Sequence, residues 1–140
     1  MMNTKVYKEV LYLAKELMSC AHKKDQAGFD AFYAELQQLC DENDGTDKDH
    51  PVQWETLGDF TDDLEEAIKI YDKALVKALA INSKDYLSSL GFAAATLKIE
   101  LGDTVGAIAY LEQAKIHSNK IIDKELKAEI HDVLKALQDV

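Results

Sequence analysis

The 140-residue sequence predicts an all-α protein built as stacked antiparallel helical hairpins, about three of them, with a capping helix at the C-terminal end. Three observations carry that expectation. Apolar residues recur at three-to-four spacing along nearly the whole chain, the signature of one buried helical face. Turn and cap residues return at intervals of about one helix length. Several helices can be laid over one another with the same order of apolar side chains, the test for an internal repeat. An up-and-down helical bundle is the alternative arrangement of the same helices. With 47% apolar and 30% charged residues, 6 Gly and 1 Pro, the composition excludes collagen-like, disulfide-scaffold and disordered chains.

The elements follow in order within one domain spanning 1–140. A first helix runs from Thr4, read as its N-cap, to Lys24, with Val6, Val10, Leu13, Leu17 and Cys20 on its apolar stripe. Asp25 restarts the chain, and Phe29, Phe32, Tyr33, Leu36, Leu39 and Cys40 mark the second helix of a divergent hairpin over 4–43. The polar stretch 44–51, with Gly45 and Pro51, reads as a loop and as the hinge of the molecule. Two hairpin units then fill 52–118. The segment VQWETLGDF makes a short helix, with Trp54 and Leu57 sharing a face that marks Trp54 as core. Thr61 is read as the cap of a long helix through Leu64, Ala67, Ile68, Tyr71, Ala74, Leu75, Ala78 and Leu79, stopped by Asn82-Ser83. The next helix runs from Lys84 to Leu101 and ends at Gly102, expected in the left-handed conformation, and Asp103 caps its successor. After Ser118-Asn119, a capping helix over 123–138 buries Leu126, Ile130, Val133, Leu134 and Leu137.

Charge is distributed unevenly. The net charge is −10, and the cationic side chains are all lysine. Eleven acids fall between Asp41 and Glu66 against the single base Lys48, so this segment holds the whole excess while the rest of the chain balances. Nucleic acid and anionic membrane are poor partners for such a chain, because both require clustered Lys and Arg. A basic protein is a better one. Asp62, Asp63, Glu65 and Glu66 also suit the start of a helix, where negative charge complements the dipole by about 0.3–1 kcal/mol each. The remaining acids either keep the loop solvated or, with Asp41, Glu42, Asp44, Asp47, Asp49, Glu55, Asp59, Asp62 and Asp63 together, present a negative face to a basic partner.

Chemistry leaves little trace. His22, His50, His117 and His131 form no HExxH pair and have no cysteine at metal-ligand spacing. The stretch DENDG fails as a calcium loop, since placing Gly45 sixth puts Cys40 first and Pro51 twelfth, where a glutamate is needed. Phosphate-binding and nucleophile-elbow patterns do not occur. No cofactor, no metal and no enzymatic activity are expected. Cys20 and Cys40 lie on apolar stripes and read as core residues. The charged opening MMNTKVYKEV breaks up any signal-peptide core, and no apolar run reaches the ~20 residues of a membrane span, so a cytoplasmic location is expected.

The repeat carries a resemblance. Phe29, Phe32, Tyr33, Leu36 and Leu39 fall 35 residues before Leu64, Ala67, Ile68, Tyr71 and Ala74, and the last four of those fall 40 residues before Ala107, Ile108, Leu111 and Ala114. The stretch ELGDTVGAIAYLEQAK, with Ala95 in the preceding helix, and the stretch LEEAIKIYDKAL resemble the tetratricopeptide repeat, whose second helix follows a Gly-Asp pair and carries Ala, a large residue, then Ala. The 40-residue spacing and Lys98 in place of an aromatic depart from the family pattern. The resemblance implies a protein-binding adaptor holding a peptide or helix of a partner in a groove, whose third-unit lining would be Ser89, Phe92, Thr96 and Ile99. It does not extend to clamping a terminal carboxylate, for which the basic residues are missing. A small acidic inhibitor of the immunity or antitoxin type, covering a basic toxin or nuclease with the acidic face, is the competing expectation, and a homodimer through an exposed apolar groove is a third.

Overall fold

The computed structural model describes residues 2–139. Within them lie seven helices and no strand: α1 (Thr4–Lys23), α2 (Gln26–Asn43), α3 (Pro51–Asp59), α4 (Leu64–Ala80), α5 (Lys84–Glu100), α6 (Thr104–Ser118) and α7 (Lys124–Gln138). The all-α expectation is met.

Local chemistry explains why each helix starts where it does. In every one, the side chain just before the first turn accepts a hydrogen bond from a first-turn amide: Asn3, Asp25, His50, Asp63, Ser83, Asp103 and Asp123. Two expected caps are displaced. Asn3 precedes Thr4 and takes the Val6 amide at 3.1 Å. Thr61 belongs to the end of α3, where its hydroxyl donates to the Leu57 carbonyl at 2.7 Å and lies 2.6 Å from the Tyr33 hydroxyl. Asp63, two residues on, caps α4.

Three hairpin turns share one construction. Lys24, Asn82 and Gly102 each have positive φ (59°, 53° and 77°). The residue after each donates its amide back into the helix just ended, Asp25 to Cys20, Ser83 to Ala78 and Asp103 to Lys98, at 2.8–3.0 Å. This is the Schellman closure, and the donor residue immediately caps the next helix. Gly102 was legible as such a residue, whereas Lys24 and Asn82 occupy the same conformation with a Cβ to accommodate.

Each helix packs on the next in chain order. In addition, α1 touches α3, α3 touches α5 and α5 touches α7, while the backbones of α2, α4 and α6 stay apart from one another. The odd helices therefore form an inner layer and the even ones an outer layer. The pair that would close a four-helix up-and-down bundle, α1 with α4, is not in contact. One core spans α1 to α5 around Val10, Leu17, Leu36, Trp54, Leu57, Tyr71 and Leu90, and a second joins α5, α6 and α7 around Ala95, Leu111, Ala114, Ile130 and Leu134.

The small residues sit where close approach demands them. Ala67, Ala74, Ala107 and Ala114 are at most 1% exposed. A Cβ on Gly91 would lie 3.0 Å from that of Ala114, and one on Gly58 would lie 2.6 Å from the Tyr71 ring. Glycine thus lets α5 meet α6 backbone to backbone, and lets α3 accept an aromatic from α4.

Candidate functional site

The loop 44–51, read as a hinge, is pinned to α4 by ion pairs. Asp44 bridges Lys73 and Lys77 at 2.7 and 2.6 Å, and Asp49 reaches Lys77 at 2.7 Å. Asp49 also accepts the Trp54 indole N–H at 2.8 Å and the Gly45 amide at 2.9 Å. Gln53 donates to the Lys48 carbonyl at 2.8 Å, and Lys73 stands 4.3 Å over the Trp54 ring. The loop is thereby riveted to α4 across a tryptophan only 3% exposed, as the reading of Trp54 as core requires. Hydrogen bonds from Lys73 and Lys77 hold the Asp44 carboxyl below its ordinary range. Burial opposes ionisation of Asp49, but the Gly45 amide, Lys77 and Trp54 outweigh it, and its pKa is lowered as well.

Two more of the expected face acids are engaged by other helices. Glu55 is half-buried and accepts the Ser89 hydroxyl at 2.9 Å, tying α3 to α5, and burial pushes its carboxyl up. Asp59 accepts the Tyr71 hydroxyl at 2.6 Å, and desolvation raises it too. Asp63 is exposed but committed to its cap. Asp41, Glu42, Asp47 and Asp62 stay exposed, with no ion pair among the described residues. Of the nine acids expected to form one negative face, Asp44, Asp49, Glu55 and Asp59 are therefore engaged by lysine, serine or tyrosine side chains of other helices, and the rest are left to solvent or to a helix cap.

The four residues expected to line a groove are divided in the same way. Ser89 is engaged by Glu55, and Phe92 is half-buried in the cluster that α5 forms with α6 and α7. Thr96 is exposed and donates to the Phe92 carbonyl at 3.0 Å, and Ile99 is 40% exposed. Ser89 and Phe92 are thus partly covered, while Thr96 and Ile99 remain open to solvent.

A feature the sequence reading missed lies on the outer layer. Because the backbones of α4 and α6 stay apart, a trough of about 380 Å³ runs between them over α5, lined by Leu75, Val76, Leu79, Leu87, Gly91, Tyr110, Gln113, Ala114 and His117. Val76 and Leu79 are 65% and 64% exposed on its lip. At one end the Tyr110 hydroxyl donates to Asp72. At the other, the Nδ1 of His117 is buried without a partner, and burial keeps its imidazole neutral below the ordinary histidine range. The available signal was Val76 and Leu79, apolar residues beside the buried stripe of α4.

Cys20 and Cys40 are buried free thiols. The Cys40 Sγ donates to the Gln53 carbonyl at 3.3 Å, and burial pushes its pKa up to about 12, leaving no thiolate for chemistry. Among the described residues, no group of three or more His, Cys, Asp or Glu is placed to hold a metal ion. No described helix is long and apolar enough to cross a membrane. Comparison with protein-family models, curated proteins and solved structures finds no match for this chain.

Proposed function

We propose that this chain is a non-catalytic protein–protein interaction module, a tetratricopeptide-like adaptor that holds a peptide or helix of a partner protein. The observation that supports the reading is the trough between α4 and α6, where a stacked-hairpin scaffold leaves Val76 and Leu79 in solvent beside an apolar floor. Contiguous exposed apolar surface of this kind marks interaction sites. The trough belongs to the outer layer, so the mode departs from the inner groove that the family resemblance implies. The module needs no cofactor, and two free buried thiols suit the reducing cytoplasm.

The test is affinity capture from native lysate with the wild type and with Val76→Glu/Leu79→Glu, at low and at roughly 0.5 M salt, where screening falls to a few ångströms. The adaptor reading expects a partner retained at high salt and lost from the double variant. The competing reading is an acidic inhibitor of the immunity or antitoxin type, acting on a basic protein; the exposed, unpaired Asp41, Glu42, Asp47 and Asp62 support it. It expects a basic partner lost at high salt and with Asp47→Lys/Asp62→Lys, and indifferent to the trough. A homodimer would appear as self-association abolished by the trough variant.

A further inference from the structure

The first hairpin carries a second cleft, unlike the trough in character. It lies between α1 and α2, measures about 320 Å³, and is lined by Glu9, Tyr12, Leu13, Glu35, Gln38, Leu39, Glu42 and Asn43. Leu13 and Leu39 form a buried floor, while Tyr12 stands 55% exposed. Three glutamates, Glu9, Glu35 and Glu42, share the cleft, with no lysine or histidine among its lining residues. None of the three takes part in an ion pair among the described residues, in contrast to Asp44 and Asp49, which the Lys73 and Lys77 ammonium groups neutralise. Glu42 instead accepts from the Gln38 amide at 2.7 Å, a neutral donor that leaves its charge uncompensated.

Apolar surface extends beyond the cleft along α1, where Leu11 is 46% and Met18 is 64% exposed. At the other end of the stack, α7 exposes no large hydrophobic residue among those described. The α7 helix thus presents polar residues to solvent, with exposed Ile122 just before it, while α1 presents apolar side chains beside the cleft glutamates, and Lys5 and Lys8 adjoin only the Glu9–Tyr12 edge.

We infer that the α1–α2 cleft seats an amphipathic helix of a partner protein whose apolar stripe is flanked by lysine or arginine. The leucine floor and the Tyr12 ring accept the apolar stripe and the methylene stems of the basic residues. Glu9, Glu35 and Glu42 meet the cationic heads, and the net charge of −10 draws such a segment in. An acidic helix is repelled by the same glutamates, so the cleft discriminates by charge while the outer trough does not. The inference rests on the reading of the chain as a protein-binding module, and assigns it a second surface with a stated partner chemistry.

The test uses a fluorescein-labelled 14-residue helix of leucine and lysine as probe, a leucine–glutamate helix of the same pattern as control, and the full-length protein. The lysine helix is expected to bind, to shift backbone amide resonances around Tyr12, Gln38, Leu39 and Asn43, and to lose at least tenfold in affinity with Glu35→Lys/Glu42→Lys. Both substituted positions are exposed, and an unchanged circular dichroism spectrum checks that the variant is folded. A milder Tyr12→Ser variant, charge-neutral, is expected to lose severalfold, showing that the ring and not the field alone holds the probe. Equal binding of the two helices, unchanged affinity in either variant, or shifts confined to Val76 and Leu79 would overturn the proposal. Failure here with a Val76/Leu79-dependent partner still captured removes this surface alone; loss of both removes the binding-module reading itself.

Discussion

The contact of α3 with α4 and that of α5 with α6 solve the same packing problem with different materials. In the first, Tyr71 of α4 lies over Gly58, and the helix pair is tied by Asp59 to the tyrosine hydroxyl and by Lys73 and Lys77 to Asp44 and Asp49 across Trp54. In the second, Gly91 meets Ala114, with Ala95 and Ala107 buried nearby, and the ion pair at that end is Lys98 with the α6 cap Asp103 at 3.1 Å. A short α3 of nine residues cannot bury enough apolar surface alone, and its missing contacts are supplied by a polar clasp. A seventeen-residue α5 faces no such shortage and packs by shape. Polar ties are therefore concentrated around the short α3, while the contact of α5 with α6 is built mainly on close-packed small residues.

The contrast can be broken from either side. Trp54→Ala removes the ring on which the clasp is assembled, and should cost about 4 kcal/mol in urea unfolding. Native-state hydrogen exchange should then show α1 to α4 opening ahead of α6 and α7; uniform loss of protection would mean that the two cores unfold as one unit. Gly91→Leu attacks the second contact, and overpacking against Ala114 should cost about 3 kcal/mol with the order of protection reversed.

Gentler changes sharpen the comparison. Asp49→Asn keeps an acceptor for the indole but removes the charge facing Lys77, and should cost about 1 kcal/mol. If the clasp works through charge, that cost shrinks in 1 M salt, whereas the cost of Gly91→Leu does not. A pH titration separates further groups. His50 is 6% exposed, and its Nδ1 accepts the Val52 amide at 3.1 Å, a bond available only to the neutral ring. Burial lowers its pKa and that of His117. The unfolded chain takes up these protons near an ordinary value of about 6.5, so this stability is complete above that pH and is lost as the pH falls through the lower folded-state values. Thermal melts of His50→Asn, which can still cap α3, should show less of this acid loss than the wild type. The smallest effect is expected at the first hairpin turn, where Lys24→Gly relieves a left-handed residue and should add about 0.5 kcal/mol; Gly102, at the matching turn, needs no such relief.

Much of the architecture was legible in particular residues. Asp25, Asp103 and Asp123 announced helix starts because a short acceptor before an apolar stripe has few other uses, and Gly102 announced a left-handed stop. The buried faces followed from spacing, since helical geometry fixes which side chains share a face. The candidate surfaces were less legible. Asp44, Asp49, Glu55 and Asp59 look in sequence like any exposed acids, and only their distant partners Lys73, Lys77, Ser89 and Tyr71 make them struts. Phe92 reads in sequence as a groove residue, and only the fold places it half-buried against the cluster shared by α5, α6 and α7. The trough and the cleft depend on how the helices are placed against one another, and local patterning carries no information about that.

The sequence by itself determined the helices, their capping and their buried stripes, because hydrogen bonds within a turn and the period of the helix are local. The tertiary structure alone decided which charges are neutralised and which apolar side chains stay in solvent. Those depend on side chains that meet from 12 to 38 residues apart, where electrostatics and desolvation act through space and not along the chain.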